Sequence, residues 1–116
     1  MAKLKFDRGT TYSRTLHYEK NGAPATLVGA TVRFTMKSDE YDEDTTDASA
    51  KVVKNVTSHT DASGGISTIA LTPSDTATVA PGKYYYDIKV EEASGNIYKV
   101  DEGTITLGGS PTNRLD

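Results

Sequence analysis

"PGKYYYDIKVEEASGNIYKV", residues 81–100, places three consecutive tyrosines directly after a Pro-Gly turn, in a chain that has neither tryptophan nor cysteine. Read as a strand, its alternation assigns Tyr84, Tyr86, Ile88 and Val90 to one face and Lys83, Tyr85, Asp87, Lys89 and Glu91 to the other. The first set is a core stripe. A phenolic oxygen at a sandwich edge reaches a polar partner, so Tyr84 and Tyr86 need not be fully dry. Tyr85 alone remains as surface, flanked by charge, and one exposed tyrosine is no stacking platform.

The same period of two recurs in short bursts along the chain, and helical periodicity is hard to find. In "ATVRFTMK" Val32, Phe34 and Met36 share one face, and Arg33, Thr35 and Lys37 the other. In "TTYSRTLHYEK" Tyr12, Arg14, Leu16 and Tyr18 line up, with Arg14 the one misfit, read as a long stem snorkelling at a sheet end. Asn21-Gly22 is a turn signal, and Pro24 keeps the following residues out of a central ladder. "KVVKNVTSH" and "GGISTIAL" read as two strands joined by a turn at residues 61–65. "TPSDTATVAPG" suggests one helical turn near residues 73–79, with Thr72 or Ser74 at its start. Gly29, Gly65, Gly82 and Gly103 each stand at a strand entry, where positive φ is common. About seven strands at this turn spacing predict an all-β sandwich of antiparallel strands, with one domain over residues 1–109 and a tail over 110–116. Strands and helices do not alternate, which disfavours a doubly wound α/β fold.

Bulk properties narrow the function. The 116 residues fit one domain with a real core. Thirteen basic against 16 acidic residues give a net charge of −3, with no Lys or Arg run that follows a phosphate backbone, so nucleic acid is not an expected partner. No apolar run approaches a membrane span, and "MAKLKFDRG" lacks a signal-peptide core; no membrane partner is expected and synthesis ends in the cytoplasm. The absence of cysteine removes disulfides, thiolate metal sites and cysteine nucleophiles.

Catalytic sets are sparse. The two histidines, His17 and His59, both read as exposed strand positions, and nothing like G-x-S-x-G places a nucleophile on a strained turn. The chain is therefore expected to be no enzyme, with no cofactor and no small-molecule substrate. "DEYDEDTTD" supplies six carboxylates at Asp39, Glu40, Asp42, Glu43, Asp44 and Asp47, enough oxygen for calcium. It lacks the spacing and the glycine of a dedicated calcium loop, and reads as a solvated loop with no metal. "NVT" at 55–57 matches a glycosylation acceptor without a secretory signal to use it.

The order of these elements resembles a known family. "KNGAPATLVGATVRFTMK", then a variable stretch, then "GGISTIALTPSDTATVAPGKYYYDIKVEEASGNIYKV" and a closing "EGTITL", is similar to the small immunoglobulin-like domains of tailed-phage virions. In particular it resembles the N-terminal domain of phage baseplate upper proteins. "LVGATVRF" and "PGKYYYDIKV" carry the resemblance, which covers residues 6–107. It implies an immunoglobulin-like β-sandwich that serves as a non-enzymatic structural subunit of a bacteriophage virion, in a tail, baseplate, neck or capsid decoration. Its partners would be other virion proteins, in many copies or as a homo-oligomer. Baseplate upper proteins continue into long regions that carry receptor-binding proteins, whereas this sequence stops at Asp116, so an adaptor, neck or decoration subunit is the expectation. Tyr85, Lys3, Lys5 and Arg114 are the candidate assembly contacts, and the ends "MAKLKF" and "GGSPTNRLD" candidates for reaching a neighbour. The alternative is a carbohydrate-binding or adhesin-like module, which needs two aromatics on one exposed face, drawn from Tyr85, Tyr98 and Tyr41.

Overall fold

Tyr84, Tyr86, Ile88 and Val90 are all buried along strand β8 (Gly82–Glu91), as their alternation requires. The computed structural model describes residues 2–38 and 50–109. The acidic stretch 39–47 and the tail 110–116 thus lie outside the described residues. In chain order the elements are β1 (Ala2–Asp7), β2 (Tyr12–His17), β3 (Glu19–Lys20), β4 (Ala23–Pro24), β5 (Thr31–Lys37), β6 (Val52–Val56), β7 (Ile66–Leu71), α1 (Pro73–Thr76), β8 and β9 (Ile97–Gly108). Seven of the described strands have five or more residues. The fold is all-β.

Two layers form because β5 and β8 each bury one face. They pair antiparallel, with Val32 opposite Val90, Phe34 opposite Ile88 and Met36 opposite Tyr86. The rings of Phe34 and Tyr86 stack 5.7 Å apart. These two strands sit inside a five-stranded sheet of order β1-β9-β8-β5-β6. Facing it is a smaller sheet of β2 and β7, which contributes Leu16, Ile69 and Leu71 to the same core. Fully burying such a side chain is worth about 1.5–3 kcal/mol, against about 0–1 kcal/mol for a surface ion pair. Packing across the two layers therefore dominates.

One pairing departs from the expected antiparallel set: β1 runs parallel to β9, from Ala2 opposite Gly103 to Asp7 opposite Gly108. A parallel neighbour needs a long connection, and here nearly the whole chain supplies it. Alternation reads faces, not strand direction. The pairing also places residues 2–6 of that N-terminal segment in the chain's own sheet, so their backbone is already engaged along one side.

Other expectations are sharpened. Asn21 and Gly22 take φ of 53° and 78°, the left-handed pair of a type I′ hairpin turn, which joins β3 to β4. β6 and β7 exist, but in different sheets: β6 pairs with β5, and β7 with β2. Residues 57–60 cross between the layers and a tight turn closed by the Asp61–Ile66 bridge feeds β7. Gly103 lies inside β9 opposite Tyr86, not at a strand entry. The helix spans only Pro73–Thr76, shorter than the turn expected near 73–79, because the chain must reverse through Pro81 into β8.

Gly65 shows how tightly the crossing is held. Its φ is +76°, and a Cβ there would run into the carbonyl oxygens of Ala25 and Tyr18. Its own carbonyl accepts from the Tyr18 amide at 2.7 Å, and the Ala25 amide donates to the Tyr18 carbonyl at 2.9 Å. Gly65→Ala should cost about 2–4 kcal/mol in denaturant unfolding, from backbone strain plus collision. Gly22→Ala, with open space around it, should cost only about 1 kcal/mol.

α1 is tied to β6 through Asp75. Its carboxylate accepts from the Thr72 amide at 2.6 Å and pairs with Lys54 at 2.9 Å. Partial burial alone would raise the Asp75 pKa, but the Lys54 and Thr72 hydrogen bonds outweigh it and hold it below the ordinary 3.8. The unfolded chain therefore binds this proton more readily than the folded one. Asp75 should contribute stability above pH 3.8 that is lost as pH falls through its lowered native value. Stability-versus-pH curves of the parent and Asp75→Asn should converge toward the acid end of that window.

Candidate assembly surface

Strand register carries the outward-facing side chains of the large sheet into rows. Lys3 on β1, Thr104 on β9, Tyr85 on β8 and Lys37 on β5 share one row, and Lys5, Thr106 and Lys83 the next. Three of the four candidate contacts, Tyr85, Lys3 and Lys5, thus fall in neighbouring rows of one face. The fourth, Arg114, lies outside the described residues. Lys3, Lys5 and Lys83 are exposed, Tyr85 is half-buried, and the Lys83 ammonium sits 5.5 Å above the Tyr85 ring.

Further along the strands the face is self-neutralising. Glu102 and Asp87 form an acidic row with Thr35, followed by Lys99, Lys89 and Arg33. Lys99 pairs with Glu102 at 2.8 Å and Arg33 with Glu91 at 2.8 Å, Asn55 accepting a second Arg33 bond at 3.3 Å. The lysine rows contain no carboxylate, and Asp7 stands one row beyond Lys5.

Arg14, the misfit of its strand, does not snorkel at a sheet end. From mid-β2 it points into the space between the sheets, donating to the Tyr86 hydroxyl at 2.9 Å and pairing with the Asp101 carboxylate. Tyr86 in turn donates to Asp101 at 3.0 Å. Burial and the nearby carboxylate push the Tyr86 phenol upward against the opposing pull of Arg14. Asp101 reaches this position because the β8–β9 register skips Val100, which reverses the alternation of β9.

That reversal also separates the aromatic candidates. Tyr98 falls opposite the buried Val90, on the inner side of the sheet, where Lys20 lies 4.9 Å from its ring. Tyr85 is on the outer side, so the two do not share a face. Tyr41 lies outside the described residues. Beside Tyr98, Tyr18 donates to Glu92 at 2.6 Å, and Lys20 pairs with Glu92 at 2.5 Å. Burial, then this bond to a carboxylate, pushes the Tyr18 phenol well above its ordinary range, while Lys20 and Tyr18 hold Glu92 low.

The histidines differ from each other. His17 is exposed on β2, as expected, whereas His59 lies in the crossing between β6 and β7 and not in a strand. Its Nδ1 is 2.9 Å from the Ser67 hydroxyl and its Nε2 is 2.8 Å from the Ala30 carbonyl. With Nε2–H donating to the carbonyl, Nδ1 accepts from Ser67. This is a serine–histidine pair, but the Ser67 side chain is fully buried, and the ring's other nitrogen ends on a backbone oxygen. Its chemistry is that of a clamp joining β7 to the entry of β5. Among the described residues no cluster of three or more potential metal ligands occurs, and no described helix is long and apolar enough to cross a membrane.

No family model matches the sequence, and no curated protein matches it. Among solved structures, the soluble domain of PmoD from Methylocystis sp. ATCC 49242 (Rockwell) is similar, with a TM-score of 0.51 at 9% identity over 91% of this chain and 77% of that one. At that identity the likeness speaks to fold alone.

The Arg14–Tyr86–Asp101 set is expected to behave as one unit. Asp101→Ala should destabilise by about 1–3 kcal/mol in urea unfolding, since it strips a partner from both other groups. Adding Tyr86→Phe to that variant should cost less than Tyr86→Phe alone.

Proposed function

We propose that this chain is a non-enzymatic structural subunit of a tailed bacteriophage virion, a tail, baseplate or neck adaptor or a capsid decoration protein, that acts through protein–protein contacts. The reading rests first on its resemblance to virion domains, carried by "LVGATVRF" and "PGKYYYDIKV". The observation that supports it most is where these motifs fall. The first enters and begins β5, the second enters and forms β8, and these strands are hydrogen-bonded neighbours that build the core. Two motifs far apart in sequence thus describe one packed unit.

The finer assignment to the immunoglobulin-like class draws support from topology. β2 pairs with β7 in one sheet, and β5, β8 and β9 adjoin in the other, the partition found in the core of an immunoglobulin sandwich. A subunit of this kind works by copy number and surface complementarity, and the outer face with Lys3, Lys5 and Tyr85 is where those contacts are assigned.

Purified particles of the phage that encodes the chain test the reading directly. Mass spectrometry should find the protein at a fixed stoichiometry to the major structural proteins, and immunogold labelling should place it at one position on the particle. Its absence from purified virions would overturn the assignment.

A further inference from the structure

We propose that the open edge of β1 receives an extended segment of another protein as an added strand, and that this segment alternates acidic with apolar residues. The inference rests on the reading above of a subunit working through protein–protein contacts, and names the chemistry of one partner.

Backbone parity shows what β1 still has to offer. The Arg8 amide donates to the Gly108 carbonyl at 2.9 Å, and along a strand alternate residues turn their backbone groups to opposite edges. Phe6 and Leu4 therefore turn theirs toward β9, and Lys3 and Lys5 turn theirs away from it. β1 ends its sheet, so among the described residues no strand meets the amides and carbonyls of Lys3 and Lys5. The Asp7 carbonyl is taken by the Thr10 hydroxyl at 2.5 Å, which closes the open stretch at that end. The outer edge of β7 shows the contrast. There Ile66 exchanges both backbone bonds with Asp61 at 2.9 Å, and the Thr68 hydroxyl meets that of Thr60 at 2.8 Å.

Side chains on the two faces of this edge specify what it takes. Lys3 and Lys5 are exposed on the outer face, and among the described residues no ion pair engages either. Lys83 lies in the row of Lys5 and adds to the same field. On the inner face Leu4 and Phe6 are only partly buried against the core, the Phe6 ring stacked 4.5 Å from that of Tyr12. An added strand sets its side chains alternately beside the lysines and beside this apolar margin. Carboxylates complement the first, and apolar groups extend the second.

The same charges say where the strand comes from. Lysines on an edge turn most strands away, a second copy of β1 among them, since lysine would stand beside lysine. An acidic strand converts that guard into selection. Of the described strands at the other sheet margins, β2, β6 and β7 contain no aspartate or glutamate. In the sequence, the acidic stretch 39–47 places carboxylates at neighbouring positions and lacks the alternation. The partner is therefore a different protein.

Amide NMR and hydrogen exchange on the full chain provide the test, with the capped peptide Thr-Glu-Val-Glu-Val-Glu-Val-Thr as probe at about 20 mM salt. The Lys3 and Lys5 amides should exchange freely without peptide and become protected with it, and binding should weaken at about 0.5 M salt. Combining Lys3→Glu with Lys5→Glu should lower affinity about tenfold or more and shift preference to the same peptide with lysine in place of glutamate. That swap also shows the variant to be folded. Should the reversal unfold the chain, Lys3→Gln with Lys5→Gln carries the test, its affinity for the glutamate peptide falling and its salt dependence flattening. Polyglutamate of equal charge should leave both amides unprotected. Failure of the alternating peptide to bind, equal binding of polyglutamate, or amides already protected in the free chain overturns the proposal. So does a reversal that keeps its preference for the glutamate peptide. A chain that ignores the peptide yet is found in purified virions sinks the added strand and leaves the proposed function standing; one that binds it but is absent from virions does the reverse.

Discussion

A sheet of five strands packed against a sheet of two has more inner surface than its partner covers, and much of this structure answers that mismatch. Over the centre the cover is apolar, Leu16, Ile69 and Leu71 joining Phe34, Ile88 and Ile105 in one buried core. Toward the margins it is built from side chains with an apolar body and a polar tip. Tyr86 buries its ring and meets Arg14 and Asp101 at its hydroxyl. Tyr18 does the same against Glu92, and Tyr84 donates to the Ala80 carbonyl. Amphipathic residues suit a boundary where one end is dry and the other is wet. Three of the seven tyrosines serve that boundary.

Cross-layer ties compensate for the thin second sheet in another way. His59 links Ser67 to the Ala30 carbonyl, Lys54 links β6 to α1, and Thr76 accepts from the Gly9 amide at 2.8 Å at the corner between β1 and β2. Each joins elements distant in sequence, and a chain without disulfides has no covalent substitute. Charges of the outer face behave differently. They are solvated, individually weak, and matter through their distribution over the surface, which is uneven at one end.

Much of the core was legible from alternation, because β5 and β8 follow a period of two without interruption and each has one apolar face. Two features were not legible. Skipping Val100 changes the parity of β9, so no constant period across residues 97–107 places both Tyr98 and Asp101 correctly. The misfit Arg14 was a usable signal, since a cation on a core face requires an internal anion, but it did not say which carboxylate supplies it. Parallel pairing of β1 was hidden for another reason: it depends on where the first and last described strands meet. For the outer surface, residue types suggested Tyr85, Lys3 and Lys5 singly, and only the register made them neighbours.

The first and last described strands lie side by side in one sheet, which gives the domain a particular order of assembly. Contacts between residues nearly a full chain length apart close late and slowly, since loop-closure entropy is lost before they form. On a ribosome β1 would emerge before the other described strands and stay without its partner until Gly108 had been made. Throughout that interval its apolar Leu4 and Phe6 would be exposed beside the unfinished edge of the nascent sheet. The lysines that alternate with them fit a second role in that window, as charges that keep an unpaired strand from joining the wrong neighbour.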